Sequence, residues 1–393
     1  MKCAEVSPIF KKDDKLNKKN FRPVSILTGI SKIFKYVLNN QLSAHFDNIF
    51  HELLSAFRKG YSCQSILLKF IEDAKLALDD KKMIGVLFMD LSKAFDCLPH
   101  GLLVAKLKAY GLTHSACELM GNYLSGRRQR VKIAGTKSQW NFLDKGVPQG
   151  SIIGPLLFNI FLNDLFYFIE RGTLYNFADD NSLACVASDV NELKVDLQHD
   201  STICINWFNE NGMAANPSKF QFMILSSQPI EQVQMTIDEN VSLTSEPFVK
   251  ALGVYVDNRL TFNEHVRKSS SKAARQLDAL SRISKFLNFN SKKLIFQSFI
   301  MSNFTYCPLV WHFCGKLNNA KIEKIQERAL RIVCNDHMSE YSDLLEKMNT
   351  STMLQSRLNI ILTEVYKSLI PDSKNPSYVR DLIKINRLPI RHA

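Results

Sequence analysis

The 393-residue chain carries 50 Lys and Arg against 38 Asp and Glu, a net charge of +12, with 46% hydrophobic and 22% charged residues. That balance describes a globular chain with apolar material for more than one core, and it excludes whole-chain disorder, a collagen repeat or a coiled-coil rod. Lys2 is followed by Cys3, Ala4, Glu5 and Val6 rather than an apolar run, so no secretory signal is read, and nine cysteines without a CxxC pair suit free thiols in a reducing compartment.

In chain order, Ile9 to Asn20 is polar and reads as a loop or short hairpin. Ile30 to Leu54 follows as a helix with Ile33, Phe34, Val37, Leu38, Leu42 and Phe46 on its core face. A second helix is expected from Ser62 to Leu78. Met83 to Met89 is a short apolar run ending at Asp90, which fits a buried strand with an acid at its tip, and Ser92 is placed to cap a following helix. Val104 to Ser125 has helical spacing. Arg127 to Ile133 and Trp140 to Leu143 form a basic strand pair closed around Gly135.

Ile152 to Ile169 is the longest apolar stretch, but Pro155, Asn159, Asn163 and Asp164 interrupt it, so it reads as a buried core helix and not a membrane span. Leu174 to Phe177 and Ser182 to Ala187 are strands with Asp179-Asp180 at the turn between them. Val190 to Asn209 is an amphipathic helix, and Phe220 to Leu225 and Phe248 to Val256 are further strands. Beyond about residue 260 the pattern is helical. Val266 to Phe286 and Asn319 to Cys334 each set basic residues against an apolar face. Cys307, His312, Cys314, Cys334 and His337 do not have zinc-ligand spacing and read as packing residues.

Charge is unevenly spread. Residues 1 to 60 have a net charge of +6, residues 61 to 260 of −4, and residues 261 to 393 of +10. Basic lobes flanking an acidic centre suit a polyanion gripped by its phosphates, with metal-binding carboxylates between. Nucleotidyl transfer needs such carboxylates from separate elements converging on one point, and Asp90 at a strand tip with Asp179-Asp180 in a turn are the right parts.

Three strings occur in order: Phe88-Met89-Asp90-Leu91-Ser92-Lys93-Ala94-Phe95-Asp96, Gly146-Val147-Pro148-Gln149-Gly150-Ser151 and Phe177-Ala178-Asp179-Asp180. Together they resemble the reverse transcriptase of non-LTR (LINE-like) retrotransposons. Phe21-Arg22-Pro23-Val24-Ser25, Ser55 to Ser62, Asn216-Pro217-Ser218-Lys219 and Leu252-Gly253-Val254 are similar to further motifs of that family, and Cys307 to Val333 resembles its helical C-terminal part.

The resemblance implies an α+β right-hand polymerase with a small antiparallel palm sheet packed on helices and a helical C-terminal region. Fingers are expected at 1–82, palm at 83–260 with finger elements at about 98–148, and thumb with C-terminal region at 261–393. It implies an RNA-directed DNA polymerase that uses two Mg²⁺ ions, with Mn²⁺ an alternative, on an RNA template, a DNA primer and dNTPs. Asp90 and Asp179 become metal ligands and Asp180 a weaker ligand or electrostatic support. Phe95 becomes the steric gate against a 2′ hydroxyl, and Gln149 and Gly150 lie against the incoming nucleotide. Arg22 grips the triphosphate, with Lys18 and Lys19 assisting, and Lys219 protonates the departing pyrophosphate. Arg58, Lys59, Lys272 and Arg275 are expected on template or primer phosphates.

No upstream endonuclease, zinc knuckle or RNase H region is recognised, so the chain reads as a polymerase portion or truncated copy whose endonuclease function comes from elsewhere. Its expected location is intracellular, in nucleus or cytoplasm. A catalytically idle nucleic-acid-binding relic remains the alternative. An RNA-directed RNA polymerase is the third reading, disfavoured by Phe95.

Overall fold

The computed structural model describes residues 2–11, 14–238 and 241–383. Strands β1 (Cys3–Phe10), β2 (Phe21–Ile26), β3 (Met83–Ser92), β4 (Arg127–Ile133), β5 (Thr136–Lys137), β6 (Asn141–Leu143), β7 (Thr173–Phe177), β8 (Asp180–Ala187), β9 (Ala214–Ala215) and β10 (Gln221–Leu225) build two sheets. The first has the order β2-β1-β4-β5 with β6 on β4, and the second the order β10-β3-β8-β7 with β9 on β3.

In the first sheet, β1 and β2 form an antiparallel hairpin closed by Phe10 opposite Phe21, and β1 pairs in parallel with β4. The stretch read as a loop or short hairpin is the connection of this hairpin. Strand β1 itself escaped the sequence reading because only two of its side chains, Ala4 and Val6, alternate into the core. Arg130, Lys132 and Lys137 gather around Glu5 on this sheet. Arg130 first, then Lys137, hold the Glu5 carboxyl down at about 2.

The second sheet is antiparallel throughout. Its central strand β3 buries Ile84, Val86, Leu87 and Met89, as the continuous apolar run requires. One face carries the helix Val190–Glu210, which Asp189 caps through the amides of Asn191 and Glu192. The helix Cys63–Asp79, started by a Ser62/Ser65 capping box, packs on β3 and β7, with Phe70 against Phe88 and Tyr175. Strand alternation places Phe88 and Asp90 on the same face.

Gly154–Leu162 is a helix with Pro155 in its first turn, buried nearly along its whole length and continued by a 3₁₀ segment Asn163–Tyr167. Its polar interruptions are answered: Asn159 donates to the Ala56 carbonyl (2.6 Å), Asn163 accepts from the His51 amide (2.7 Å), and Asp164 pairs with Lys106 (2.7 Å).

Several expectations are corrected. The first helix spans Gly29–Phe46, not to Leu54. Residues 53–55 instead run beside β7, where the Asn176 amide donates to the Leu53 carbonyl and the Ser55 amide to that of Asn176. Of its expected core face, Leu38 and Phe46 are buried and Leu42 packs against the core, whereas the N-terminal half turns a different side inward. Ser31, Lys35, Leu38 and Phe46 are buried, whereas Ile33, Phe34 and Val37 are 70%, 39% and 50% exposed. Both seams have helical spacing, and the buried one draws in Lys35, whose ammonium lies 5.7 Å from the centroid of the Tyr123 ring. Burial, reinforced by Arg127, lowers the Lys35 ammonium to about 8.

Val104 to Ser125 is two helices, His100–Ala109 and His114–Leu124, parted where Gly111 takes a positive φ of 88°. The N-cap position of the one-turn helix Ala94–Cys97 falls on Lys93, which is in left-handed conformation and makes no side-chain capping bond, while Ser92 is still in β3. Phe248 to Val256 is a tight hairpin, β13 (Phe248–Ala251) with β14 (Val254–Asp257), because Leu252-Gly253 turns the chain. It follows a further hairpin of β11 (Gln234–Asp238) and β12 (Val241–Thr244). Beyond it, helices Asn263–Ile283 and Lys316–Cys334 pack on one another, the first burying Ala273, Leu277 and Leu280 and the second Ile322, Ala329 and Leu330.

Candidate active site

The register of the second sheet sets Asp90 of β3 directly opposite Asp180, the first residue of β8. Asp179 precedes it in the two-residue turn closing β7 to β8, where Phe177 pairs with Asp180 and Ala178 takes a φ of 58°. Two fully buried asparagines brace this turn: Asn176 donates to the Ala178 carbonyl (2.7 Å) and to Asn181 Oδ1 (2.9 Å), and Asn181 donates to the Asp179 carbonyl (3.3 Å). The sequence reading passed over them. Their signal was two amides set among apolar strand residues on either side of the acidic pair.

Asp90 and Asp179 both line a cleft of about 1340 Å³ between the two sheets, and Phe95, Gln149, Gly150 and Arg22 line it with them. Asp180 instead faces an adjoining hollow of about 270 Å³, which Asp90 and Lys219 also border. Burial above all, then the charges of Asp179 and Asp90, raises the Asp180 carboxyl to about 6. Lys219 Nζ stands 3.5 Å from Asp90 Oδ2, and both side chains are well exposed.

Phe95 lies in the one-turn helix after β3. Its ring stacks on the buried Phe158 at 4.5 Å and meets Phe57 edge-on at 6.1 Å, so its position is set from two sides. The block 146–150 is laced to that turn: the Val147 amide donates to the Phe95 carbonyl (2.9 Å), the Gly146 amide to that of Leu98 (2.7 Å), and Gln149 Nε2 to Asp96 Oδ1 (3.1 Å). The Ser25 amide of β2 donates to the Gln149 carbonyl (2.8 Å), tying the first sheet to the same block. Gly150 has a φ of 96°, and its Cα passes so near Ser25 that a Cβ would stand 3.1 Å from the Ser25 carbonyl oxygen.

Arg22 is exposed on β2, and Lys18 begins the 3₁₀ turn Lys18–Asn20 just before that strand. The Lys19 side chain lies outside the described residues. Arg58 donates to the carbonyls of His51 (2.9 Å), Leu54 (3.1 Å) and Asp47 (3.3 Å) and lies over the Tyr61 ring, which clips the 47–58 turn. Lys59 is exposed nearby. Lys272 and Arg275 are exposed on the helix Asn263–Ile283. On the neighbouring helix, Arg328 pairs with Asp278 and Arg331 with Glu327, which commits two of its basic groups within the protein.

Among the described residues, no group of three or more His, Cys, Asp or Glu side chains stands as a ready metal cage. The cleft offers instead two carboxylates from separate elements, a hard-oxygen donor set. That fits Mg²⁺, which completes its shell with water and substrate phosphates.

Residues 9–288 match the family described as reverse transcriptase (RNA-dependent DNA polymerase). The chain belongs to the reverse transcriptase family. Its relatives include the probable RNA-directed DNA polymerase from transposon BS of Drosophila melanogaster, 26% identical over 80% of this chain and 36% of that protein. The X-element counterpart from the same fly is 27% identical over 93% and 42%, and the jockey enzyme of Drosophila funebris 24% identical over 79% and 35%. The chain thus spans between a third and little more than two-fifths of the length of these three relatives. Among solved structures it is similar to apo telomerase from Candida tropicalis, with a TM-score of 0.46 and 14% identity over 95% of this chain and 66% of that one. Among the described residues, no helix is long and apolar enough to cross a membrane.

Proposed function

We propose that the chain is an RNA-directed DNA polymerase of the non-LTR retrotransposon type, adding deoxynucleotides to the 3′ hydroxyl of a DNA primer on an RNA template. The observation that carries this reading is the convergence of Asp90 and Asp179 on one cleft with an aromatic ring, Phe95, held beside them. Divalent ions held by Asp90 and Asp179, with Asp180 in support, would activate the primer hydroxyl and neutralise the leaving pyrophosphate.

The other roles belong to the chain. Arg22, with a planar fork of donors, binds the triphosphate, assisted by Lys18. Phe95 excludes a 2′ hydroxyl, and Gln149 and Gly150 shape the space for the nucleotide. Lys219 delivers a proton to the leaving pyrophosphate oxygen, and its ion pair with Asp90 keeps the ammonium at the site. Residues 1–82 with about 98–148 act as fingers, 83–260 as palm and 261–393 as thumb and C-terminal region. Lys59, Lys272 and Arg275 serve as backbone contacts for template and primer, which makes binding fall with salt.

The test is primer extension with purified chain, an RNA template, a DNA primer, dNTPs and Mg²⁺, beside Asp179→Asn. Extension that disappears in the variant supports the reading. A folded wild-type chain that binds the duplex and never extends it overturns the reading in favour of a binding relic.

A further inference from the structure

The turn that carries Phe95 and the block that carries Gln149 meet in a single side-chain hydrogen bond, from Gln149 Nε2 to Asp96 Oδ1 at 3.1 Å. Both residues are half-buried and both line the large cleft. Their chemistry is asymmetric. An ionised carboxylate only accepts, whereas a glutamine amide presents a donor end and an acceptor end. A carboxylate on one side therefore fixes which end faces it. The NH₂ group is held by Asp96, and Oε1 of Gln149, which has no hydrogen-bond partner among the described residues, is left to accept from whatever enters the cleft.

The backbone gives this pair little freedom to reorganise. The Asp96 amide donates to the Lys93 carbonyl (2.8 Å), while the Gln149 carbonyl accepts from Ser25 (2.8 Å). Val147 and Gly146 are bonded to the carbonyls of Phe95 and Leu98 on either side of Asp96. Burial raises the Asp96 carboxyl above the usual carboxylate range, and the hydrogen bond from Gln149 first, then the charges of Lys93 and Lys11, oppose that rise and favour the ionised form. With both main chains clamped, the side-chain bond decides the amide orientation.

We propose that Asp96 is a positioning residue that sets the hydrogen-bonding polarity of Gln149, so that the cleft presents an acceptor oxygen to a donor group on the incoming deoxynucleotide. The inference rests on the polymerase reading for the identity of the ligand. The pairing itself does not depend on that reading.

The test has two arms. In the first, the full chain is labelled with ¹⁵N-glutamine and the Gln149 side-chain amide is assigned by its loss in Gln149→Ala. Its protons are expected to exchange with solvent more slowly than those of exposed glutamines and to lose that protection in Asp96→Asn. An unprotected Gln149 amide in the wild-type chain overturns the pairing without any variant having to fold. Adding dATP with Mg²⁺ should shift this resonance, and no shift at saturating nucleotide overturns the nucleotide-facing role.

In the second arm, steady-state extension is measured for wild type, Asp96→Asn, Gln149→Ala and the double variant. Asp96→Asn is expected to raise KM for dNTP about tenfold while kcat stays within about twofold. The double variant should be no worse than Gln149→Ala alone, because Asp96 acts through the amide that is already gone. Additive increases in KM, or a fall in kcat with KM unchanged, overturn the proposal. A wild-type chain that shows the protected amide yet does not extend primers counts against the polymerase reading and leaves the pairing standing.

Discussion

Asp90 and Asp180 sit directly opposite one another across the β3–β8 ladder, yet Asp180 turns to the smaller hollow while Asp179, one residue earlier in the turn, shares the large cleft with Asp90. The two acids of the hairpin are therefore unequal. Asp179→Asn is expected to lower kcat by roughly 10²-fold or more, the scale on which a single electrostatic contact to a transition state is lost. Asp180→Asn should cost clearly less. Rapid-quench extension of a labelled primer distinguishes the two, and equal losses would place Asp180 among the primary ligands.

Phe95 gives a second prediction. Its ring is fixed by stacking on Phe158, so the sugar-gate role proposed for it depends on a core residue as well as on itself. Phe95→Val should lower the preference for dNTP over rNTP by about tenfold or more, measured as the ratio of kcat/KM values, because a pocket that discriminates by steric exclusion loses its wall. Phe158→Leu should lower the same ratio by a smaller factor, since it lets the ring tilt without removing it. A preference unchanged in both variants rules out the gate.

Gly146 marks where the 146–150 block and the Phe95 turn come into backbone contact. Its φ is 81°, and a Cβ built there would lie 2.6 Å from the Asp96 carbonyl oxygen, with other Asp96 backbone atoms just behind. Left-handed conformation costs a non-glycine residue about 1–2 kcal/mol, and backbone atoms cannot swing aside as a side-chain tip would. Gly146→Ala is expected to lower the melting temperature and to disturb nucleotide affinity together. Gly111→Ala, also at positive φ but with open space around it, should show the strain alone. Differential scanning calorimetry of the two variants makes the comparison.

The acids were legible in the sequence because their placement is local: an apolar run ending at Asp90, and two short strands with Asp179-Asp180 between them. Asp96 with Gln149, and Asn176 with Asn181 under the turn, were not, since a motif string shows which residues occur and not which side chains meet. The pairing of β1 with β4 joins Cys3 to Arg128, and no local pattern announces such a distant partner. The first helix shows the limit of periodicity. At about 100° per residue, Ile33, Phe34 and Val37 lie roughly a third of a turn from the seam of Lys35, Leu38 and Phe46, and the fold turns the latter inward, with Lys35 beside Tyr123.

His265 carries the last prediction, at the junction of the second sheet region with the C-terminal helices. It begins the helix Asn263–Ile283, accepts the Tyr255 amide at Nδ1 (3.3 Å) and packs against the Trp311 ring at 4.9 Å. Its Nε2 is buried without a hydrogen-bond partner among the described residues. Desolvation lowers its pKa from 6.5 to about 4. In the unfolded chain the ring takes up a proton near 6.5, while in the folded chain it does so only near 4. Between those values the unfolded state binds more protons, and stability falls as the pH falls. The depression corresponds to a loss on the order of 3 kcal/mol by pH 4. Burial also lowers His51 and His312, so wild type is expected to lose stability over this window with more than one contributor. His265→Gln removes only the share of His265. Its denaturant midpoint should fall less between pH 6.5 and 4 than that of wild type, and parallel midpoints across that range would show that the ring at 265 does not govern the junction.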